Sequence, residues 1–138
     1  MRISRQLLDE IIAHAREDAP NECCGMIASS NGEAVTVHRA QNTAASPFRY
    51  EMDGMEQYRI QTAIEDAGLE LGAIYHSHTR SAPEPSQTDI NLAFYPDALY
   101  VIVGLKSPAP DVRAWRIVDG NVSAAALEVE EDGPPPAA

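Results

Sequence analysis

Cysteine is nearly absent: the chain has two, Cys23 and Cys24, and they are neighbours. Adjacent cysteines enclose no loop, which rules out a fold-stapling disulfide between them and suits a reducing compartment. Positive charge is scarce as well, with 10 Lys and Arg against 21 Asp and Glu and a formal net charge of −11. Such a field repels phosphate backbones and anionic headgroups, so neither nucleic acid nor a membrane surface is expected as a partner. Long apolar runs are missing too. The stretch from Ala98 to Gly104 falls far short of the roughly 20 residues that a bilayer-spanning helix needs. Met1 to Leu8 carries no signal-peptide pattern, and the expectation is a soluble, cytoplasmic protein.

What the chain does have is enough apolar material, 44% of 138 residues, for one domain with its own core. Ser4 can cap a helix in which Leu7, Leu8, Ile11, Ile12 and Ala15 recur at helical spacing, with Ile3 stapled onto Leu8 and Pro20 closing the segment. Cys23 to Ser29 and Ala34 to Ala40 read as strands joined by a tight Asn31-Gly32 turn. Gln41 to Met52 shows no period, and its Phe48 and Tyr50 either line a groove or anchor the loop on the core.

Asp53 and Glu56 resemble a capping box, Gln57, Ile60, Ile64 and Ala67 trace one helical face, and Gly68 supplies the stop. Leu69 to Tyr75 predicts a buried strand leading into His76. Ser86 opens a short helix with Ile90, Ala93 and Phe94 inward, ended by Pro96. Ala98 to Val103 is apolar on both faces, as a central strand is, and Val112 to Val118 and Asn121 to Leu127 flank a second turn at Asp119-Gly120. Helices and strands interleave without repeats, which predicts an α/β or α+β three-layer sandwich over residues 1–127. The acidic run of Glu128, Glu130, Glu131 and Asp132, followed by proline and alanine, predicts a solvated flexible tail over 128–138.

The chemistry concentrates in His76-Ser77-His78. Strand side chains alternate, so residues two apart share a face and two imidazoles can converge on one ion. Eleven residues after His78 comes Asp89, in the first turn of the short helix, and the Thr79 to Pro85 loop gives the chain room to turn back. Two histidines and a carboxylate leave a coordination position open for water, as hydrolytic zinc sites do, whereas a structural zinc site fills all four. Taken singly, the same residues have plainer uses: paired histidines can be hydrogen-bonded polar groups, Ser86 with Asp89 a capping box, and Glu22 a surface carboxylate.

Together, Glu22, His76-Ser77-His78, Ser86 and Asp89 resemble the JAMM signature of the MPN-domain metalloproteases. The likeness extends over roughly Ile3 to Leu127, and the NECCG, YHSHT and PSQTD segments look most like the bacterial Mec-type branch. Thr79 stands where most JAMM sequences have proline, which weakens a deubiquitinase assignment. The resemblance implies a single MPN/JAMM domain, a mixed sheet with helices packed on it, in a sandwich of the kind that nucleobase deaminases share. The HxE and paired-cysteine motifs of those deaminases are absent here.

It also implies the roles: His76, His78 and Asp89 hold Zn²⁺, Glu22 is the general base, and the Ser86 hydroxyl shares the oxyanion with zinc. The implied substrate is a small ubiquitin-like sulfur-carrier protein with a C-terminal Gly-Gly, from which cysteine is released. Arg49 or Arg80 could meet the carboxylate of that cysteine. Cys23 and Cys24 are expected to pack as small apolar side chains, with extra ligation or a redox pair as the alternative. A deubiquitinase-like isopeptidase and a non-catalytic MPN scaffold that binds a partner protein stay open, as does a homodimer.

Overall fold

Ser4 ends one element and begins another: its hydroxyl accepts from Leu7 N at 3.2 Å, closing strand β1 (Arg2–Ser4) and capping helix α1 (Arg5–Asp18). The computed structural model describes residues 1–131. After α1 come the hairpin β2 (Cys24–Ser30) and β3 (Glu33–Ala40), helix α2 (Gly54–Asp66), strand β4 (Glu70–His78), the short helix α3 (Gln87–Asn91), β5 (Leu99–Gly104), the hairpin β6 (Asp111–Val118) and β7 (Asn121–Ala125), and β8 (Glu128–Glu130). Both turns form as expected, with Asn31 and Gly32 at φ 51° and 78° and Asp119 and Gly120 at 50° and 78°.

The eight strands make one mixed sheet in the order β7-β6-β5-β4-β2-β3-β1-β8. β4 and β5 run parallel and β2 runs antiparallel to both β3 and β4. Alternation then divides the side chains between two faces. Ile27, Ala73, Tyr75, Val101 and Val103 meet Leu8, Ile11, Ile12 and Ala15 of α1. On the opposite face Met26 and Ala28 meet Ile64 of α2, while Ile74, Tyr100 and Ile117 meet Ile90 and Ala93. The result is the expected three-layer sandwich, with β5 buried along its whole length. Among the described residues no helix is long and apolar enough to cross a membrane.

Three local expectations need correction. Phe94 is 72% exposed rather than inward, because α3 ends at Asn91 and its helical phase does not reach residue 94. Asp53 does cap α2, but Glu56 does not reach back to complete the box; its carboxylate accepts from Gln41 N at 2.7 Å instead. The tail does not begin at Glu128. Glu128–Glu130 pair in parallel with β1, led in by Glu128 N donating to Met1 O at 2.9 Å, because the otherwise free edge of β1 offers backbone groups to any following chain. Residues 132–138 of the expected tail lie outside the described residues.

Gly25 pairs with Tyr75, whose buried hydroxyl lies 2.7 Å from His14 Nδ1, and a Cβ at position 25 would overlap the Tyr75 ring. Gly25→Ala should therefore destabilise the fold by about 1–3 kcal/mol, read as a lower urea midpoint at unchanged slope. A shift of less than about 0.5 kcal/mol would mean that the ring has room to give way.

Candidate metal centre

The β4 strand runs three residues further than its apolar pattern, so His76 and His78 are themselves strand residues. They face α2 and α3, and Ser77 between them faces α1, where its hydroxyl accepts from Cys23 N at 2.8 Å. Cys24 lies opposite His76 in the antiparallel β2–β4 register. Extending that register two residues beyond the start of β2 brings Glu22 opposite His78, and its carboxylate lies within 4.8 Å of the His78 donor atom. The ladder thus joins Cys24 to a residue 52 positions away and Glu22 to one 56 positions away.

Asp89 arrives from α3 by way of the helix cap. Ser86 Oγ accepts from Asp89 N at 3.1 Å and Asp89 Oδ2 accepts from Ser86 N at 2.9 Å, so the box that the sequence suggests is made in full. The same Oδ2 lies 3.1 Å from His76 Nε2 and 3.0 Å from His78 Nε2, and the two nitrogens are 3.2 Å apart. Capping and convergence are therefore one arrangement: the cap holds the carboxylate rotamer that faces the imidazoles. Ser86 itself is exposed.

The donor set fits a metal ion. One ligand atom each from Glu22, His76, His78 and Asp89 lie within 4.8 Å of one another, all on buried residues. His78 Nδ1 sits 2.8 Å from Ala82 O, so it carries the proton and Nε2 presents a lone pair towards the carboxylate oxygen. At 3.0 Å from the carboxylate oxygen, that nitrogen needs a positive charge between the two, either a proton on Nε2 or a metal ion. A tetrahedral ion with bonds of about 2.0–2.1 Å spaces its donors roughly 3.3 Å apart, close to the triangle formed here. Among the described residues, Glu22 Oε1 and His76 Nδ1 are buried without a hydrogen-bond partner.

Electrostatics separate the carboxyl groups. Burial pushes the Glu22 carboxyl up to about 8, with the charge of His78 opposing and that of Asp89 adding. For Asp89 burial acts in the same upward direction, but the hydrogen bonds to His76 and His78 hold it well below the usual carboxylate range. Burial lowers His76, with Asp89 opposing. For His78 the downward pull of burial is outweighed by the bonds to Asp89 and Ala82, and the net shift is upward. A carboxyl pushed up to about 8 beside two imidazoles is placed to take and return a proton.

The Tyr50 ring stacks on His76, with centroids 4.7 Å apart and planes at 29°, so the aperiodic loop both anchors on the core and lines the site. Beyond Tyr50 lies an apolar cavity of about 180 Å³ lined by Ile74, Leu92, Phe94, Tyr95 and Tyr100. A polar cavity of about 590 Å³ opens beside Glu22, His14 and Arg39. Arg49 is paired with Glu51, whereas Arg80 lies over the Phe48 ring at 5.8 Å. Cys23 and Cys24 are buried free thiols outside the four-residue group, and burial pushes both up to about 12, which suits apolar packing. Asn42, which no pattern in the sequence singles out, is buried against Glu22.

Residues 4–118 match the profile of prokaryotic homologs of the JAB domain. A CysO-cysteine peptidase of Mycobacterium tuberculosis is 40% identical over 132 residues, which cover 94% of this chain and 90% of that protein. A desampylase of Haloferax volcanii is 44% identical over 101 residues, covering 68% and 73% respectively. Among solved structures, the solution structure of a Desulfitobacterium hafniense protein superposes with a TM-score of 0.83 at 28% identity, over 95% of this chain and 93% of that one. The fold is also that of a JAB1/MPN domain protein from Archaeoglobus fulgidus, with a TM-score of 0.63 at 18% identity over 94% and 98%.

The converging donors generate a direct test. Elemental analysis of the purified protein should find about one divalent transition-metal ion per chain, and Asp89→Ala should lose it, since removal of a ligand opens the closed side of the site. A metal-replete Asp89→Ala protein would take this carboxylate out of the ligand set.

Proposed function

The chain belongs to the prokaryotic JAB-domain family, and from that premise we propose that it is a zinc-dependent peptidase acting on a small ubiquitin-like sulfur-carrier protein. It hydrolyses the amide bond after the carrier's C-terminal diglycine and releases cysteine. The observation that carries this reading is the convergence of His76, His78 and Asp89 with Glu22 held beside them. The similarity to a CysO-cysteine peptidase across nearly the whole chain supports the substrate class.

In this reading His76, His78 and Asp89 hold Zn²⁺. When bound there, the ion supplies Lewis-acid polarisation and brings the pKa of water towards about 7. Glu22 takes a proton from the attacking water, whose oxygen bonds to the glycyl carbonyl carbon. The C–N bond then breaks, and Glu22 returns that proton to the departing amine. Ligation of Glu22 would remove this capacity, and its raised pKa suits the shuttling of a proton. The Ser86 oxygen already accepts from Asp89 N, which leaves its O–H to donate to the oxyanion. Of the two candidate arginines, Arg49 is engaged by Glu51, so Arg80 is assigned to the carboxylate of the leaving cysteine.

A C-terminal diglycine suits a site that the substrate backbone must approach closely, because glycine brings no side chain to collide. The desampylase similarity favours one second reading, an isopeptidase that acts on protein conjugates with the same residues. A binding scaffold without catalysis is disfavoured by the complete ligand set. The neutral thiols of Cys23 and Cys24 suit a reducing cytoplasm.

Incubation with a carrier ending in Gly-Gly-Cys should shorten it by one cysteine residue, observed by mass spectrometry, and a chelator should stop the reaction until Zn²⁺ is restored. Metal without cleavage of this carrier would point to the isopeptidase reading, and absence of both to the scaffold. Glu22→Ala should keep the metal and lose about 10²–10⁴ in turnover, and Ser86→Ala about 10²–10³. An active, metal-replete Glu22→Ala protein would overturn the role given to Glu22.

A further inference from the structure

Glu22 lies two residues before the start of β2, beyond the last paired residue of that strand. Both of its main-chain groups are nevertheless held, and both by the loop between β3 and α2. Glu22 N donates to Ser46 O at 2.9 Å, and Glu22 O accepts from Asn42 Nδ2 at 2.9 Å. Asn42 is buried, and its amide has no capacity left. Nδ2 also donates to Arg49 O at 3.0 Å, and Oδ1 accepts from Ala44 N and Glu51 N, both at 3.0 Å. Two donors and two acceptor sites are all that an asparagine side chain offers.

Those four bonds draw the two limbs of the loop together, next to the Asn42–Met52 bridge. Arg49 and Glu51 flank Tyr50, the residue whose ring stacks on His76. A single buried amide therefore fixes the backbone of the base at one end and the ring against a metal ligand at the other. Loss of its donors would release Glu22 O and Arg49 O together, leaving Glu22 held only through its N–H to Ser46 and the far limb only through the bonds to Glu51.

We propose that Asn42 is a positioning residue that couples Glu22 to the Tyr50–His76 stack, so that one loop sets both the general base and the orientation of a metal ligand. Its effect on turnover rests on the peptidase reading above, and its effect on metal affinity does not.

The test uses the full chain and zinc alone as its first probe. Asn42→Asp is nearly isosteric, keeps the acceptors and deletes both donors. Competition with a chromophoric chelator should show zinc binding weakened by about 10-fold, the lower end of what loss of an outer-shell partner costs. Tyr50→Leu should weaken it to a similar degree, and Tyr50→Phe, which keeps the ring, should hold the affinity. On the Gly-Gly-Cys carrier at saturating zinc, Asn42→Asp should lose about 10-fold or more in kcat with KM within about threefold, as expected when a reacting group is misplaced but the binding surface is intact.

Thr43→Val removes a hydroxyl bond to Glu51 O at the exposed end of the same loop, and both readings should stay within about twofold of the parent. Thermal unfolding of each variant provides the correction for folded fraction. A folded Asn42→Asp protein with zinc affinity within about twofold of the parent overturns the coupling, whether or not the carrier is cleaved. If Thr43→Val reproduces the full defect, the effect belongs to loop stability in general and the assignment to Asn42 fails.

Discussion

The antiparallel pairing of Cys24 with His76 is the constraint on which the rest of the site depends. It decides that Glu22 approaches His78, and that both histidines look towards α2 and α3 rather than towards α1. Because side chains alternate along a strand, a slip of one residue in this ladder would turn both imidazoles to the opposite face and put Ser77 in their place. The large apolar side chains on both faces of β2 and β4, Ile27, Tyr75, Met26 and Ile74 among them, oppose such a slip, since it would move each of them into the wrong layer. Core packing and ligand geometry are therefore set by the same register.

The second element of the site is local. Ser86 and Asp89 satisfy each other's backbone groups at the start of a five-residue helix that is too short to be stable by itself. The cap helps the helix to form, and in forming it the carboxylate is delivered to His76 and His78 with its rotamer already chosen. A side chain fixed in this way loses little entropy when an ion arrives. Burial supplies the remaining ingredient. Glu22 is only 3% exposed and Asp89 is also buried, yet their carboxyl groups are pushed in opposite directions, because Asp89 has two imidazole partners and Glu22 Oε1 has none. That difference is the one that the proposed roles, ligand for Asp89 and proton carrier for Glu22, would require.

Much of this is legible in the chain wherever a signal is short-range. The cap at Ser4, the Asn31-Gly32 and Asp119-Gly120 turns, the helical face ending at Gly68 and the shared face of His76 and His78 each follow from a few consecutive residues and a fixed backbone period. Phe94 departs from the helical period because the helix lasts only about one turn and a half and ends three residues before it. The strand Glu128–Glu130 left no trace in the pattern because it is an edge strand held by backbone bonds, with every side chain exposed. Glu56 makes its bond to Gln41, a partner 15 residues earlier, and no capping rule reaches that far.

The sequence by itself determined the helices and the inner strands, the residue types able to bind an ion, and the cap that orders Asp89, because each depends on neighbours within about one or two turns of chain. Only the tertiary structure decided that Glu22 lies beside His78, that Tyr50 covers His76, and that Asn42 holds the loop between them. These contacts join segments far apart in the chain through sheet register and a loop without periodicity. Their energy lies in packing and buried hydrogen bonds, which exist only once the layers have closed.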